Sequence, residues 1–368
     1  MQKIVVFSNM YPSSDHPTYG IFVKNQVNLL KSAGLDVDVI AIEEPGKGKF
    51  RTLQKYAGWF FRSLAYLMKQ KKKLALTHAH YAFPTGLLSL IGKKWLGLPY
   101  VVTVHGGDID KMAAKSARIA KLTKSILQQA HAVIVVGEKL KADVMERFGV
   151  PESRVHLISM GVDTDVFKPI PKLEAKETLG FPKDKRIILF VGNVIKAKGL
   201  VELTEAFGDI KPDFPDIVLF IAGSQKDENF TAELRQFIET QSIKDVQFKG
   251  PLSQSVLARW MAAADVLALP SHHEGFGLVA LEAMAAGTTV VGTDVGGLSY
   301  LLANQAGILV QPKQPDSLAD GLRKALDHNS AHIDENKMQE TVELHSYDRI
   351  LHNLLSIYEA VGKDGTRE

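Results

Sequence analysis

The chain of 368 residues contains no cysteine, which excludes disulfides, thiol nucleophiles and Cys-ligated zinc or iron–sulfur centres. It has no run of 18 apolar residues, so no segment reads as a membrane-spanning helix. The start MQKIVVF lacks the charged and apolar regions of a secretory leader, so a cytoplasmic protein is expected. Neither half opens with a strand leading into G-x-G-x-x-G, the dinucleotide-binding fingerprint, which argues against an NAD-dependent oxidoreductase. Acidic residues are also missing from one long stretch: residues 45–107 hold none, against eleven Lys and Arg.

What is present is ordinary for a two-domain globular chain, with 45% apolar and 23% charged residues. The net charge of +3 conceals a division, because residues 1–168 carry +11 and the remainder −8. Apolar runs near Ile4–Ser8, Val37–Ile42, Leu74–His80, Val101–His105, Ala132–Val136 and Val155–Ile158 alternate with helical patterns. A polar, proline-containing break follows from Gly161 to Pro171. The alternation restarts at Arg186–Gly192 and continues through Ile217–Ala222, Val246–Phe248, Val266–Leu269, Thr289–Gly292 and Ile308–Val310. That pattern predicts an α/β chain with two Rossmann-like, doubly wound parallel-sheet domains, divided at 1–168 and 169–345. A last helix over 346–368 has its apolar face at Tyr347, Ile350, Leu351, Leu354 and Tyr358. Ligands of open α/β sheets sit beyond the carboxyl ends of the strands, so two such domains facing each other form a cleft.

Within the second half, the segment SHHEGFGLVALE at 271–282 combines a strand end, a glycine loop and a helix start. Val266–Leu269 is the strand, Gly275 and Gly277 lie in the loop, and Leu278–Ala286 is the helix, stopped at Gly287. A helix N-terminus carries unpaired N–H groups and partial positive charge, so Gly275, Phe276, Gly277 and Leu278 offer a seat for a phosphate. Glu274 then lies beside whatever the phosphate bears. Glu282, about two turns along, can accept hydrogen bonds from neighbouring hydroxyls. The combination suits a nucleotide sugar; a loop acid and a solvated helix acid are the plain alternative.

The string Glu274–Glu282, within S-x-x-E-G-F-G-L-x-x-L-E-A-M-A-x-G, resembles the E-x7-E signature of the retaining glycosyltransferases of family 4, which have the GT-B fold. GVDTDVFKP at 161–169 is similar to the linker of that family, and the resemblance covers essentially the whole chain. It implies a terminal helix that crosses back onto the first domain. It also implies transfer of a sugar from a nucleoside-diphosphate sugar, with UDP the expected nucleotide, to a hydroxyl of a glycan or lipid-linked acceptor. The implied chemistry is front-face displacement, with no cofactor and no metal. Glu274 then orients the donor sugar and Glu282 holds the ribose. Lys198, in FVGNVIKAKG at 190–199, neutralises the leaving diphosphate; a surface lysine at a helix start is the plain alternative. Asn193 stands where the family pattern has Arg, a loss that weakens leaving-group stabilisation unless Lys196 turns inward or Asn193 itself bonds a phosphate. His105, in VTVHGGD, is placed beside the donor sugar, where the residue pattern alone also fits a satisfied core histidine. Asp108 and Asp110 fit helix caps. Gly20 resembles the glycine of the loop after the first strand, which lets the backbone approach the ligands; a plain helix-entry glycine is the alternative. Leu252 resembles the position that holds the base, and a hydrophobic turn is the alternative there. His272 and His273 read as loop residues.

Two other readings share these residues: a catalytically silent sugar-nucleotide binder, suggested by Asn193, and a sugar-nucleotide epimerase on the same fold. The Val191–Asn193 variant and the start SNMYP at 8–12 are similar to bacterial enzymes of cell-surface polysaccharide assembly, such as teichuronic acid or exopolysaccharide. The basic stretch predicts a helix with Leu53, Ala57, Phe60, Leu64 and Leu67 on one face and Lys55, Trp59, Arg62, Tyr66 and Lys69 on the other. With Lys47, Lys49, Arg51, Lys71, Lys72, Lys73, Lys93 and Lys94 nearby, residues 50–73 read as a peripheral docking surface for an anionic membrane. No nucleic-acid-binding module accompanies the patch.

Overall fold

Twelve apolar runs become twelve parallel strands in a computed structural model that describes residues 3–16, 19–44, 49–327 and 332–364. They divide between two compact units, residues 1–160 with 348–368, and residues 161–347. The first holds β1 (Lys3–Ser8), β2 (Val37–Ala41), β3 (Leu74–His80), β4 (Tyr100–Val104), β5 (Ala132–Val135) and β6 (Val155–Leu157), in the order β2-β1-β3-β4-β5-β6. The second holds β7 (Arg186–Val191), β8 (Ile217–Ala222), β9 (Val246–Lys249), β10 (Val266–Leu269), β11 (Thr289–Thr293) and β12 (Ile308–Val310), in the order β12-β11-β10-β7-β8-β9.

Helices cover both faces of each sheet, which is why the central strands lack polar alternation: all of Tyr100–Val104 and all of Ile217–Ala222 are buried. Strand order reverses at β1/β3 in the first unit and at β7/β10 in the second. Such switch points open a crevice beyond the strands' carboxyl ends.

The C-terminal helix Tyr347–Asp364 supplies Ile350, Leu354, Ile357, Tyr358 and Val361 to the core that contains Ile4, Val6 and Val27. Buried positions at intervals of three and four place these side chains on one helical face. The helix therefore completes the first unit. In the second unit, Val162 exchanges backbone bonds with the entry into that helix: its N–H donates to the His345 carbonyl at 2.9 Å, and its carbonyl accepts from the Tyr347 N–H at 3.1 Å.

The basic helix spans Lys49–Gln70, but it is rotated relative to the sequence expectation. Trp59, Ser63 and Leu67 are its buried residues. The Trp59 indole donates to the Ile40 carbonyl at 3.1 Å, and the Tyr66 hydroxyl donates to Asp38. Both aromatics placed on the outer face thus point inward, because each finds a polar partner on β2 for an otherwise apolar body. Arg62 and Lys69 face outward as expected, but large apolar residues join them: Leu53 and Phe61 are each 68% exposed and Met68 is 59% exposed. Trp95, on the neighbouring helix Thr85–Leu96, is 65% exposed. Lys47 lies outside the described residues, as does the side chain of Lys49. Among the described residues, no helix is long and apolar enough to cross a membrane.

Candidate active site

At the β7/β10 switch point two loops meet. After β7 the chain forms a short turn, Lys196–Lys198, and enters the helix Leu200–Ile210 through Gly199, whose φ is 67°. After β10 it runs from Pro270 through Ser271 to Glu274. A Cβ on Gly199 would stand 1.9 Å from the Pro270 carbonyl oxygen, so only glycine permits this approach. The His272 N–H donates to the Ala197 carbonyl at 2.9 Å, and His272 Nε2 lies 2.7 Å from Glu202 Oε1. His272, expected as a plain loop residue, therefore straps the two loops together.

This arrangement brings Lys198 and Glu274 into contact. Lys198 Nζ lies 2.6 Å from Glu274 Oε2, and Ser271 Oγ donates to the same oxygen at 3.1 Å. The two side chains are 25% and 19% exposed, which sets aside the surface-lysine alternative. Ser271 is held in turn through its carbonyl, which accepts from Thr293 Oγ1 at 2.5 Å. Asn193 and Lys196 are both exposed, so Lys196 does not turn inward.

Beyond Glu274, Gly277 takes φ 95° and starts the helix Leu278–Ala285 without a side-chain cap. The space at Gly275 is open: a methyl there would touch nothing within 4 Å. From behind, Gly296 and Gly297 press on the loop so closely that added Cβ atoms would lie 1.8 Å from the Glu274 carbonyl oxygen and 2.0 Å from that of Phe276. Phe276 itself is buried, with its ring against that of His345. Glu282 is not a solvated helix acid. Burial pushes its carboxyl up to about 8, which favours the protonated form at neutral pH. Leu252 follows β9 at the sheet edge, two strands from β7, and is half-buried.

In the first unit the polar residues gather beyond β3 and β4. β4 ends at Val104, so His105 is the first loop residue rather than the last of the strand. Its N–H donates to Asp108 Oδ1 at 3.2 Å, while the Ala82 N–H donates to Asp108 Oδ2 at 2.7 Å. Asp108 is 1% exposed and its carboxyl is raised to about 6 by burial. It braces the two loops that follow β3 and β4, a role beyond a helix cap. Asp110 instead pairs with Arg147 at the surface. The His105 ring lies against Phe22 and Tyr81, with centroids 5.0 and 4.5 Å away, and burial holds it neutral, at about 3. Gly20, at φ 71°, starts the helix Ile21–Ser32 where a Cβ would come within 2.5 Å of the Met10 backbone.

Sequence reasoning missed Ser271, the Glu202–His272 pair, the bracing role of Asp108 and the Gly296–Gly297 support. Only the paired glycines carried a visible signal, a DVGG run directly after a strand.

The chain matches the family models described as Glycosyl transferases group 1, over residues 171–343, and Glycosyltransferase Family 4, over residues 20–166. It is 28% identical over 360 residues, 88% of each chain, to a putative teichuronic acid biosynthesis glycosyltransferase of Bacillus subtilis. It is 31% identical over 273 residues, 71% of this chain and 69% of the other, to an uncharacterized glycosyltransferase of Methanocaldococcus jannaschii. An Anabaena protein, HepE, solved in complex with UDP and glucose, superposes with a TM-score of 0.77 at 18% identity, over 98% of this chain and 100% of that one. With its two six-stranded parallel sheets and both family matches, the chain belongs to the family 4 glycosyltransferases and has the GT-B fold.

Proposed function

We propose that this glycosyltransferase is a retaining enzyme that moves a sugar from a UDP-sugar to a hydroxyl of a glycan or lipid-linked acceptor in cell-surface polysaccharide assembly, at the cytoplasmic side of the membrane. The observation that carries the reading is the Lys198–Glu274 pair at 2.6 Å, just ahead of an uncapped helix N-terminus whose helix carries the half-buried Glu282. A diphosphate is met by backbone N–H groups and by Lys198. Glu274, released from Lys198, can accept from sugar hydroxyls, and Glu282 from the ribose. Asn193 is an additional candidate for a phosphate contact, and Leu252 for the base. Gly20 lets the backbone come close to the donor, and His105 serves the donor sugar.

The chemistry this supports is front-face displacement. The anomeric C–O bond to the diphosphate breaks, the acceptor oxygen bonds to the same face, and the acceptor proton passes to a departing phosphate oxygen. Lys198 stabilises the charge that grows there. No resident cofactor or metal enters this reading. The catalytically silent alternative is favoured only by the exposure of Asn193 and Lys196, which leaves Lys198 as the cation paired with Glu274.

UDP and the polysaccharide role rest on what the Anabaena and Bacillus proteins are described as binding and building. A thermal-shift screen of UDP-, GDP- and ADP-sugars tests the donor, since a ligand that binds the folded state alone raises Tm. A UDP-sugar is expected to give the largest shift, followed by UDP release with the donor's anomeric configuration kept in the product. Binding without release would establish the silent reading, and an inverted product would sink the retaining one.

Access to a lipid-linked acceptor is the proposed role of the outward apolar stripe Leu53, Phe61, Met68 and Trp95. The exposed cations Arg51, Lys69, Lys72 and Lys94 border it. Apolar side chains ringed by cations suit an anionic bilayer surface. We expect flotation with anionic vesicles and not with neutral ones. Leu53→Ser, Phe61→Ser and Met68→Ser together should weaken it by about tenfold or more; equal failure on both vesicle types would refute the docking.

A further inference from the structure

Three imidazoles of the first unit form a row, two of them, His78 and His80, fully buried. His78 stacks on His80 with ring centroids 4.6 Å apart, and His80 stacks on His105 at 5.4 Å. The two inner rings are satisfied differently. His78 uses both nitrogens, Nδ1 with the Tyr358 hydroxyl at 2.6 Å and Nε2 with Thr103 Oγ1 at 2.7 Å. His80 uses one: its Nδ1 lies 3.1 Å from His105 Nε2, while its Nε2 is enclosed without a partner.

From this asymmetry we infer that His80 is a positioning residue that fixes His105 as the Nδ1–H tautomer. A neutral imidazole has one donor and one acceptor nitrogen, so in the His80–His105 contact one ring must donate. If His105 donated from Nε2, the His80 proton would sit on Nε2, as a buried N–H with no acceptor. Such orphans are rare, because the donor loses its bond to water and gains none in return. If His80 donates from Nδ1, only a lone pair is left without a partner. Burial favours the neutral form of both rings, so a doubly protonated His80 offers no escape.

The consequence concerns substrate recognition, and it rests on the assignment of His105 to the donor sugar. With Nε2 occupied by His80, the nitrogen left for a ligand is Nδ1, and it carries a hydrogen. His105 therefore recognises an oxygen lone pair, and it cannot accept a hydroxyl proton at that nitrogen. The Phe22 and Tyr81 rings, tilted 48° and 42° against it, flank the imidazole.

Long-range 1H–15N spectra of the ligand-free protein, labelled with 15N-histidine, report which nitrogen of His105 is protonated. We expect the proton on Nδ1; a proton on Nε2 overturns the inference whether or not any variant folds. His80→Phe should shift the His105 signals toward the Nε2–H form and lower kcat/KM about tenfold, the loss of one such hydrogen bond. His80→Asn, whose amide N–H can donate from near the Nδ1 position, should restore both. A folded His80→Phe protein that keeps the Nδ1–H spectrum would also overturn it. A wild-type spectrum as expected, together with normal turnover in His105→Ala, would leave the pairing intact and remove His105 from the donor sugar, so the two failures are distinguishable.

Discussion

Lys198→Ala is expected to lower turnover by about 10²–10³-fold, the usual effect of removing one pre-positioned charge or donor from a developing anion. The structure explains why one lysine should carry so much. Its ammonium is tethered between the Lys196–Lys198 turn and Glu274, at a point fixed by the Gly199–Pro270 approach and the His272–Ala197 backbone bond. Little reorganisation is then needed when the diphosphate arrives. The mutation has a second consequence: it leaves the Glu274 carboxylate facing the phosphate seat without its cation, so donor binding weakens as well as turnover. Lys198→Arg is not expected to rescue, because a planar fork cannot replace a compact ammonium in a site built around a single oxygen. Because the two side chains act as a unit, Lys198→Ala with Glu274→Gln should lose far less than the product of the single losses. Steady-state kinetics on the three variants checks this, and unchanged kcat in Lys198→Ala would remove the lysine from the mechanism.

The strands that carry this site were readable from residues alone, because parallel strands covered on both faces are near-continuous apolar runs, as in Arg186–Val191 after its first residue and in Val266–Leu269. The glycine loop and its helix were equally legible, since Gly277 and Gly287 punctuate them. The terminal helix announced its face through Ile350, Leu354 and Tyr358, while its destination on the first unit was legible from the family resemblance and not from the spacing. The partners Ile4 and His78 lie more than 270 residues away in sequence.

The basic helix misled for a related reason. Its wheel has apolar and aromatic residues on both sides, and only the β2 edge, through the Ile40 carbonyl and Asp38, decides that Trp59 and Tyr66 face inward. Nor could spacing reveal the histidine row, because positions 78 and 80 share a face of β3 while His105 enters from the loop after β4. Its residues meet only once the sheet has formed. Burial, likewise, made Glu282 a different acid from the solvated one its sequence position allows.

That burial yields the second large effect. A UDP-sugar should bind about 50-fold more weakly at pH 6 than at pH 8, and its binding should release close to one proton at pH 7. In the free protein the Glu282 carboxyl titrates at about 8, since burial disfavours its charge. Hydroxyls of a ribose donate to a carboxylate and stabilise the charged form, so the bound value falls toward that of an ordinary Glu, near 4. The sign follows from the linkage: a ligand that prefers the ionised acid binds at full strength above the free-state value and loses strength as pH falls below it, by about tenfold per unit. The intact diphosphate ester does not itself titrate in this range, which makes a UDP-sugar a better probe than UDP. Calorimetry in buffers of differing ionisation enthalpy measures the proton, and Glu282→Gln should abolish both the release and the pH dependence while the protein remains folded. A wild-type affinity that is flat from pH 6 to 8, with no proton released, would show that Glu282 does not hold the donor as a carboxylate.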